Sequence, residues 1–366
     1  MLNVQKYLKD NTLESLENEL GIVVSKYGDR VVLNYSQISS PRFHPVCDEC
    51  RALILSLPDY KVVSRSFDRF YNLGELDHII KDIDITKMIT LTKEDGSLIN
   101  VYHWDEWWHA STRKQALGEG HSVYGTVFND LFQNTLEVPL NTLMRPFNKE
   151  YTYIFEVCTP ENRVVKRYPK PSVFLLAIRN KNTGEYLSYD RLESCAGAFN
   201  QRGANVNLPE KFTFKSFSDV KNAIENLPTL DEGYVLWNEK TGFRIKMKSP
   251  SYVAIHQIRN NGELSPKNIS ILIYKNEYKE YLSYYEEDKE FFVPYINAYN
   301  KMINEINTIY DKYKNIENQK EFALQVKDLP VAPVLFSMRK GQKLYDILDS
   351  FNDNRKLYLL EKYKEK

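Results

Sequence analysis

The spacing of apolar residues changes once along this 366-residue chain, near residue 260, and that change limits the folds open to it. Before it, short β-rich runs dominate: Arg51–Leu57, Lys61–Ser64, Met88–Leu91, Leu98–Tyr102, Tyr151–Val157, Val173–Ile178, Tyr234–Trp237 and Phe243–Met247. Ile22 to Tyr35 reads as a hairpin about Gly28-Asp29. Helices are expected at Val123–Phe132 and Phe217–Asn226, and a short one between a capping pair, Asn11 with Glu14, and Gly21. Antiparallel strands with scattered helices make an α+β domain rather than a regular βαβ alternation. After the change, Met302, Ile303, Ile306, Ile309, Tyr310, Tyr313 and Ile316 recur at helical spacing. Leu344, Ile347, Leu348 and Phe351 predict another helix, which Leu357 to Tyr363 either continue or follow as a further one. The boundary is expected where Asn, Gly and Pro cluster, giving an α+β domain at 1–258 and an all-helical one at 259–366. No internal repeat is evident.

Composition excludes several classes. Lysine plus arginine balances aspartate plus glutamate at 49 each, so no global field draws in a polyanion. Local stripes differ: Arg244, Lys246, Lys248 and Arg259 have no acidic neighbour between Thr241 and Asn260, and four basic residues lie between Arg163 and Lys170. No secretory leader and no apolar run near the roughly 20 residues of a membrane helix is visible, so no membrane partner is expected. Four cysteines do not make a disulfide scaffold, and a reducing cytoplasm is the simplest setting. His44-x-x-Cys47-x-x-Cys50 lacks the second ligand pair of a zinc site. No Gly-x-x-x-x-Gly-Lys-Ser/Thr loop is present.

The segment Lys93-Glu94-Asp95-Gly96-Ser97, set between two strand-like runs, carries the chemistry. A strand end holds an amine rigidly, and Gly96 lets backbone approach a ligand. By itself it reads equally as a β-turn with a solvated lysine. Other elements follow in order: Phe155-Glu156 at a strand end, the apolar run Val173 to Arg179, Glu232-Gly233-Tyr234-Val235, and Lys246-Met247-Lys248. This series resembles the covalent nucleotidyltransferases, the superfamily of ligases and mRNA capping enzymes. Ser66-Phe67-Asp68-Arg69-Phe70-Tyr71-Asn72, Pro160-Glu161-Asn162-Arg163-Val164-Val165 and Thr183 to Asp190 narrow the resemblance to the T4 RNA ligase 1 family, over roughly residues 45 to 257.

The resemblance implies an ATP-grasp-like ligase domain and an ATP-dependent RNA ligase, with Mg²⁺ as cofactor and Mn²⁺ as a substitute. It implies that Lys93 takes AMP, that Lys246 and Lys248 contact the AMP phosphate, and that Glu156 and Glu232 serve ribose or metal. Arg51 and Arg69 match positions that handle the leaving phosphates. Thr92, Glu94, Asp95 and Gly96 form the nucleotide-binding motif itself. Phe174 to Ile178 and Val235 could flank adenine, or be plain β-core. After the lysine motif relatives carry a short basic element, filled here by Arg113 or Lys114. The implied partner is RNA with 5′-phosphate and 3′-hydroxyl ends, such as cleaved tRNA or single strands, met by a monomer in a phage-infected bacterial cytoplasm. DNA ligases and capping enzymes append an OB-fold whose strands are not evident here. A non-catalytic RNA-end binder would be expected to lose Lys93 or the carboxylates. Trp104, Trp107, Trp108 and His109 could stack bases, although packing is the better default.

Overall fold

The computed structural model describes every residue except 77–81, 123–124, 163–165, 167, 229–230, 251, 253–264, 285–287 and 365–366. The chain divides into two compact units, Met1–Val253 and Ala254–Lys366. The boundary expected at 258/259, with Val253, His256, Arg259 and Asn260, lies outside the described residues, as do Arg163 to Val165 and Arg167.

The first unit contains three sheets. Strands β1 (Ile22–Tyr27), β2 (Arg30–Tyr35), β3 (Leu53–Ser56) and β4 (Val62–Ser64) form an antiparallel meander. β5 (Tyr71–Asn72) and β6 (Ile89–Thr92) belong to another sheet; β7 (Ser97–Trp104) and β8 (Trp107–Ser111) form a hairpin in the third. With β9 (Tyr151–Cys158), β10 (Ser172–Asn180) and β11 (Val206–Asn207), that third sheet runs β11-β10-β9-β7-β8. With β12 (Lys211–Phe212), β13 (Gly233–Trp237) and β14 (Arg244–Lys248), the other runs β12-β6-β13-β14-β5. The motif lysine therefore sits where the chain crosses from one sheet to the other.

Alternation decides which face is core. On the β13–β14 sheet, Tyr234, Leu236, Ile245 and Met247 pack on Val220 and Ile224 of helix Phe217–Glu225. Val235, Arg244, Lys246 and Lys248 point to the other side. In the β9–β10 sheet, Phe155, Val157, Val173 and Leu175 join Phe132 and Phe199, from helices Phe128–Leu136 and Tyr189–Gln201. Truncating a ring such as Phe155 to alanine typically costs about 3–5 kcal/mol. Glu156 is left facing a cleft.

Several expectations shift. The Gly21-ended helix is capped by Thr12, whose hydroxyl accepts from Ser15 N–H at 3.1 Å; the Asn11 amide instead donates back to the Tyr7 carbonyl. A helix at Asn3–Asp10 precedes it. The helix expected from Val123 begins at Phe128, because His121 and Val127 first form a β-bridge. Trp108 is buried against Tyr153, Trp104 donates to Asp29, and Trp107 is exposed, so these rings do not form one platform. Cys47 and Cys50 are buried free thiols, and no metal-holding cluster of three or more His, Cys, Asp or Glu occurs among the described residues.

The second unit has, among the described residues, only helices: Pro266–Tyr274, Tyr278–Tyr284, Lys289–Tyr313, Gln319–Val326, Ala332–Arg339, Leu344–Ser350 and Asp353–Tyr363. Met302 and Ile306 are fully buried, as their spacing predicts. No helix among the described residues is long and apolar enough to cross a membrane.

Candidate active site

A cleft of about 290 Å³ opens between the β6–β13–β14 sheet and the β7–β9–β10 sheet. Lys93 enters it from the end of β6. Its backbone N–H donates to the Gly233 carbonyl at 2.8 Å, tying the first residue past the strand to β13. Its amine donates to Glu232 Oε2 at 2.6 Å, and Lys248 Nζ lies 3.5 Å from Glu232 Oε1. The β13–β14 register puts Gly233 opposite Lys248 and Val235 opposite Lys246, so the paired lysines and Glu232 meet by construction. Gly233 has φ +135°, and a Cβ there would lie 2.1 Å from the Met247 carbonyl oxygen, so this approach requires glycine.

Glu156 and Glu232 sit in opposite electrostatic states. Burial pushes the Glu156 carboxyl up to about 8; Lys93 opposes the rise and Glu232 adds to it. Burial would also raise Glu232, but Lys93 and Lys248, with Lys246, outweigh it and hold the group below the usual carboxylate range. Glu156 Oε1 accepts from Gly96 N–H at 3.1 Å. A Cβ on Gly96 would meet the Val157 carbonyl oxygen at 2.2 Å and Cys158 Sγ at 2.7 Å. The close approach expected toward a ligand is thus first an approach to β9.

The far end of the cleft is cationic. Arg51 and Arg113 line it with Tyr35 and Gln37, and Lys246 on β14 acts on Tyr35 from the strand side. Arg51 packs 4.5 Å from the Phe70 ring centroid, and its Nε is buried with no hydrogen-bond partner among the described residues. Burial would raise the Tyr35 hydroxyl, but Arg51, Arg113, Lys246 and Arg69 together bring it down to about 8. Arg113, not Lys114, lines the cleft.

Of the predicted residues, Lys93, Lys246, Lys248, Arg51, Thr92, Glu94, Gly96, Arg113, Glu156, Glu232 and Val235 line this one cleft. Three do not. Arg69 donates to the carbonyls of Ser40 and Pro41, stands over the Tyr35 and Tyr71 rings, and lines a neighbouring cavity. Asp95 is buried, accepting from Lys166 N–H at 2.7 Å and Tyr252 hydroxyl at 2.9 Å. Phe174, opposite Glu156, packs toward Tyr168, and Leu176 on the same face lines the cleft; the slip between Leu175 and Ala177 puts Ala177 with Ile154 and Ile178 in the core with Leu175. Sequence reasoning also missed Tyr35, Phe67, Phe70, Leu98 and Arg244 as cleft walls. Leu98 was within reach, since it pairs with Glu156 across β7 and β9. Buried Arg244 extends the lysine stripe but spends its guanidinium over Tyr186, Trp237 and Phe67 at 4.0–4.7 Å.

Comparison with known proteins finds RNA ligases. The profile of the RNA ligase family named for T4 RNA ligase 1 matches residues 49–252. A protein of Autographa californica nuclear polyhedrosis virus, named as a bifunctional polynucleotide kinase/RNA ligase, is 31% identical over 94% of this chain, which spans 50% of its length. The RNA ligase of Rhodothermus phage RM378 is 25% identical, covering 86% of each chain. A mutant Naegleria gruberi RNA ligase solved with ATP and Mn aligns over 52% of this chain and 57% of its own, at 17% identity and a TM-score of 0.43. With the family profile spanning more than half of the sequence, and its interval enclosing Lys93, Glu156, Glu232, Lys246 and Lys248, the chain belongs to the T4 RNA ligase 1 family.

Proposed function

We propose that this chain is an ATP-dependent RNA ligase that carries AMP on Lys93 and joins 5′-phosphate to 3′-hydroxyl RNA ends. The observation that carries the reading is the Lys93 amine held 2.6 Å from Glu232, in a cleft that Lys246, Lys248, Arg51, Arg113 and Glu156 also line. In the first step the Lys93 nitrogen attacks the α-phosphorus of ATP; a P–N bond forms and pyrophosphate leaves. The Lys93 ammonium first gives up one proton, for which Glu232 is the acceptor already in contact, and the nitrogen releases a second as the P–N bond forms, which the departing pyrophosphate can carry away. Lys246 and Lys248 place positive charge beside the negative charge of the α-phosphate, and Arg51 and Arg113 face the departing pyrophosphate. In the second step a 5′-phosphate oxygen of RNA displaces Lys93 and takes the AMP. In the third a 3′-hydroxyl attacks that 5′-phosphate and AMP leaves. All three are in-line displacements governed by positioning and charge.

Mg²⁺, or Mn²⁺ in its place, fits the carboxylates present. Burial favours neutral Glu156, a penalty that a neighbouring dication relieves. Such an ion needs only one or two carboxylates and completes its shell with phosphates and water. Glu156 and Glu232 would hold it, and when bound it neutralises phosphate charge.

The proposed natural substrate is cleaved tRNA, with the helical unit as specificity element and the chain acting as a monomer in the cytoplasm of an infected host. Incubation with α-³²P-ATP and Mg²⁺ should give a labelled band on denaturing electrophoresis that is not formed from GTP. Absence of label, after a pyrophosphate chase to strip AMP already attached, would overturn the reading. Equal sealing of nicked anticodon loops and plain single strands would overturn the tRNA part alone.

A further inference from the structure

The basic stretch between Lys166 and Lys170 contains a tyrosine that no motif above includes and that does not line the cleft, yet it organises the bonds around the nucleophile. Tyr168 is buried, and its hydroxyl donates to Glu94 Oε2 at 2.8 Å while accepting from the Asp95 N–H at 2.9 Å. The other Glu94 oxygen accepts from the Thr92 hydroxyl at 2.7 Å, and that hydroxyl accepts from Glu210 N–H at 2.9 Å. Residues on both sides of Lys93 are thus closed into one ring, while the lysine amine reaches out to Glu232. A buried carboxylate such as Glu94 holds its place only while its oxygens are hydrogen-bonded.

We propose that Tyr168 is a positioning residue for Lys93, fixing the direction of its amine through Glu94 and Asp95. The inference rests on the adenylating role of Lys93 given above. It separates the steps of the reaction. AMP transfer to and from the enzyme makes and breaks the bond to Lys93 nitrogen, so both depend on where that amine points. Sealing an RNA whose 5′ end is already adenylated forms no bond to Lys93.

The test is Tyr168→Phe in the full chain, assayed in single turnover for lysyl-adenylate formation and, separately, for joining 5′-adenylated RNA to a 3′-hydroxyl RNA. Adenylate formation should slow about ten- to a hundredfold, whereas joining of preadenylated RNA should stay within about twofold of wild type. Unchanged adenylation, or an equal fall in both steps, would overturn the proposal. Should Tyr168→Phe fail to fold, Tyr168→Met reads the same link: it keeps apolar bulk but has no hydroxyl to donate to Glu94 or to accept from Asp95 N–H, and the same split between steps is expected. A wild-type chain that forms no adenylate fails the ligase reading itself, which keeps the two failures apart.

Discussion

The two ends of the cleft are built from different material. At one end Lys93, Glu156, Glu232, Lys246 and Lys248 stand on strands or one residue beyond them, and paired register fixes their spacing. At the other, Tyr35 ends a strand of the separate meander, Arg51 precedes β3, Phe67 and Phe70 lie between β4 and β5, and Arg113 follows β8. In the proposed reaction the strand-held end faces the bond that is made, and the other end faces the group that leaves. A strand pair cannot shift one side chain without shifting its row, so the reacting groups are held where error is least tolerated.

The largest expected effect separates the two ends directly. Lys93→Ala should abolish lysyl-adenylate, whereas Arg51→Ala should slow its formation by about ten- to a thousandfold, as loss of one charge-stabilising donor does. Rates of label incorporation from α-³²P-ATP decide it. A total loss with Arg51→Ala would dissolve the distinction.

How much of this was legible follows the same division. The strand-held groups were readable because alternation fixes faces: Arg244, Lys246 and Lys248 share one, and Tyr234, Leu236, Ile245 and Met247 the other. Alternation failed where the backbone departs from it. The slip at Leu176 turns Ile178, which strict alternation puts on the face of Phe174 and Leu176, into the core with Val173 and Leu175, and no residue pattern in Val173 to Ile178 announces that slip. At the loop-held end, Arg69 was assigned from its place in a motif, but the carbonyls of Ser40 and Pro41 take its guanidinium. Its direction is set by contacts 28 and 29 residues away in sequence, which no local spacing encodes. Tyr35 has no motif at all and becomes part of the site only because the meander brings it against Arg51 and Arg113.

Gly96→Ala probes the join between the two sheets. The added methyl would press on the Val157 carbonyl oxygen, and overpacking of this kind typically costs about 1–3 kcal/mol. Urea unfolding should show the loss. Stability equal to wild type would mean that the crossing from β6 to β7 is looser than the strand-held description requires.

The Glu156 carboxyl gives a smaller effect with a definite sign. In the unfolded chain it ionises at its ordinary value of about 4.3, but in the fold only at about 8. Between those values the folded state binds the extra proton, so its contribution to stability falls as pH rises through that window and is level above it. Glu156→Gln should therefore flatten the decline of melting temperature between pH 5 and pH 8. An unaltered slope would place the strand-held carboxyl in a wetter setting than its burial implies.

The loop-held end titrates in the opposite sense, through Tyr35. An ordinary tyrosine ionises near pH 10; here Arg51, Arg113, Lys246 and Arg69 overcome burial and bring the hydroxyl to about 8. The folded state then favours tyrosinate, so this group adds stability as pH rises from its folded value toward its unfolded one. Near-ultraviolet difference absorbance should show one hydroxyl ionising near pH 8 that is missing from Tyr35→Phe. If these cations serve the leaving phosphates, bound ATP neutralises them and returns the titration toward the ordinary range. A titration that ATP does not move would leave the strand-held end as the whole of the phosphate site and make the loop-held cations part of the packing around Tyr35.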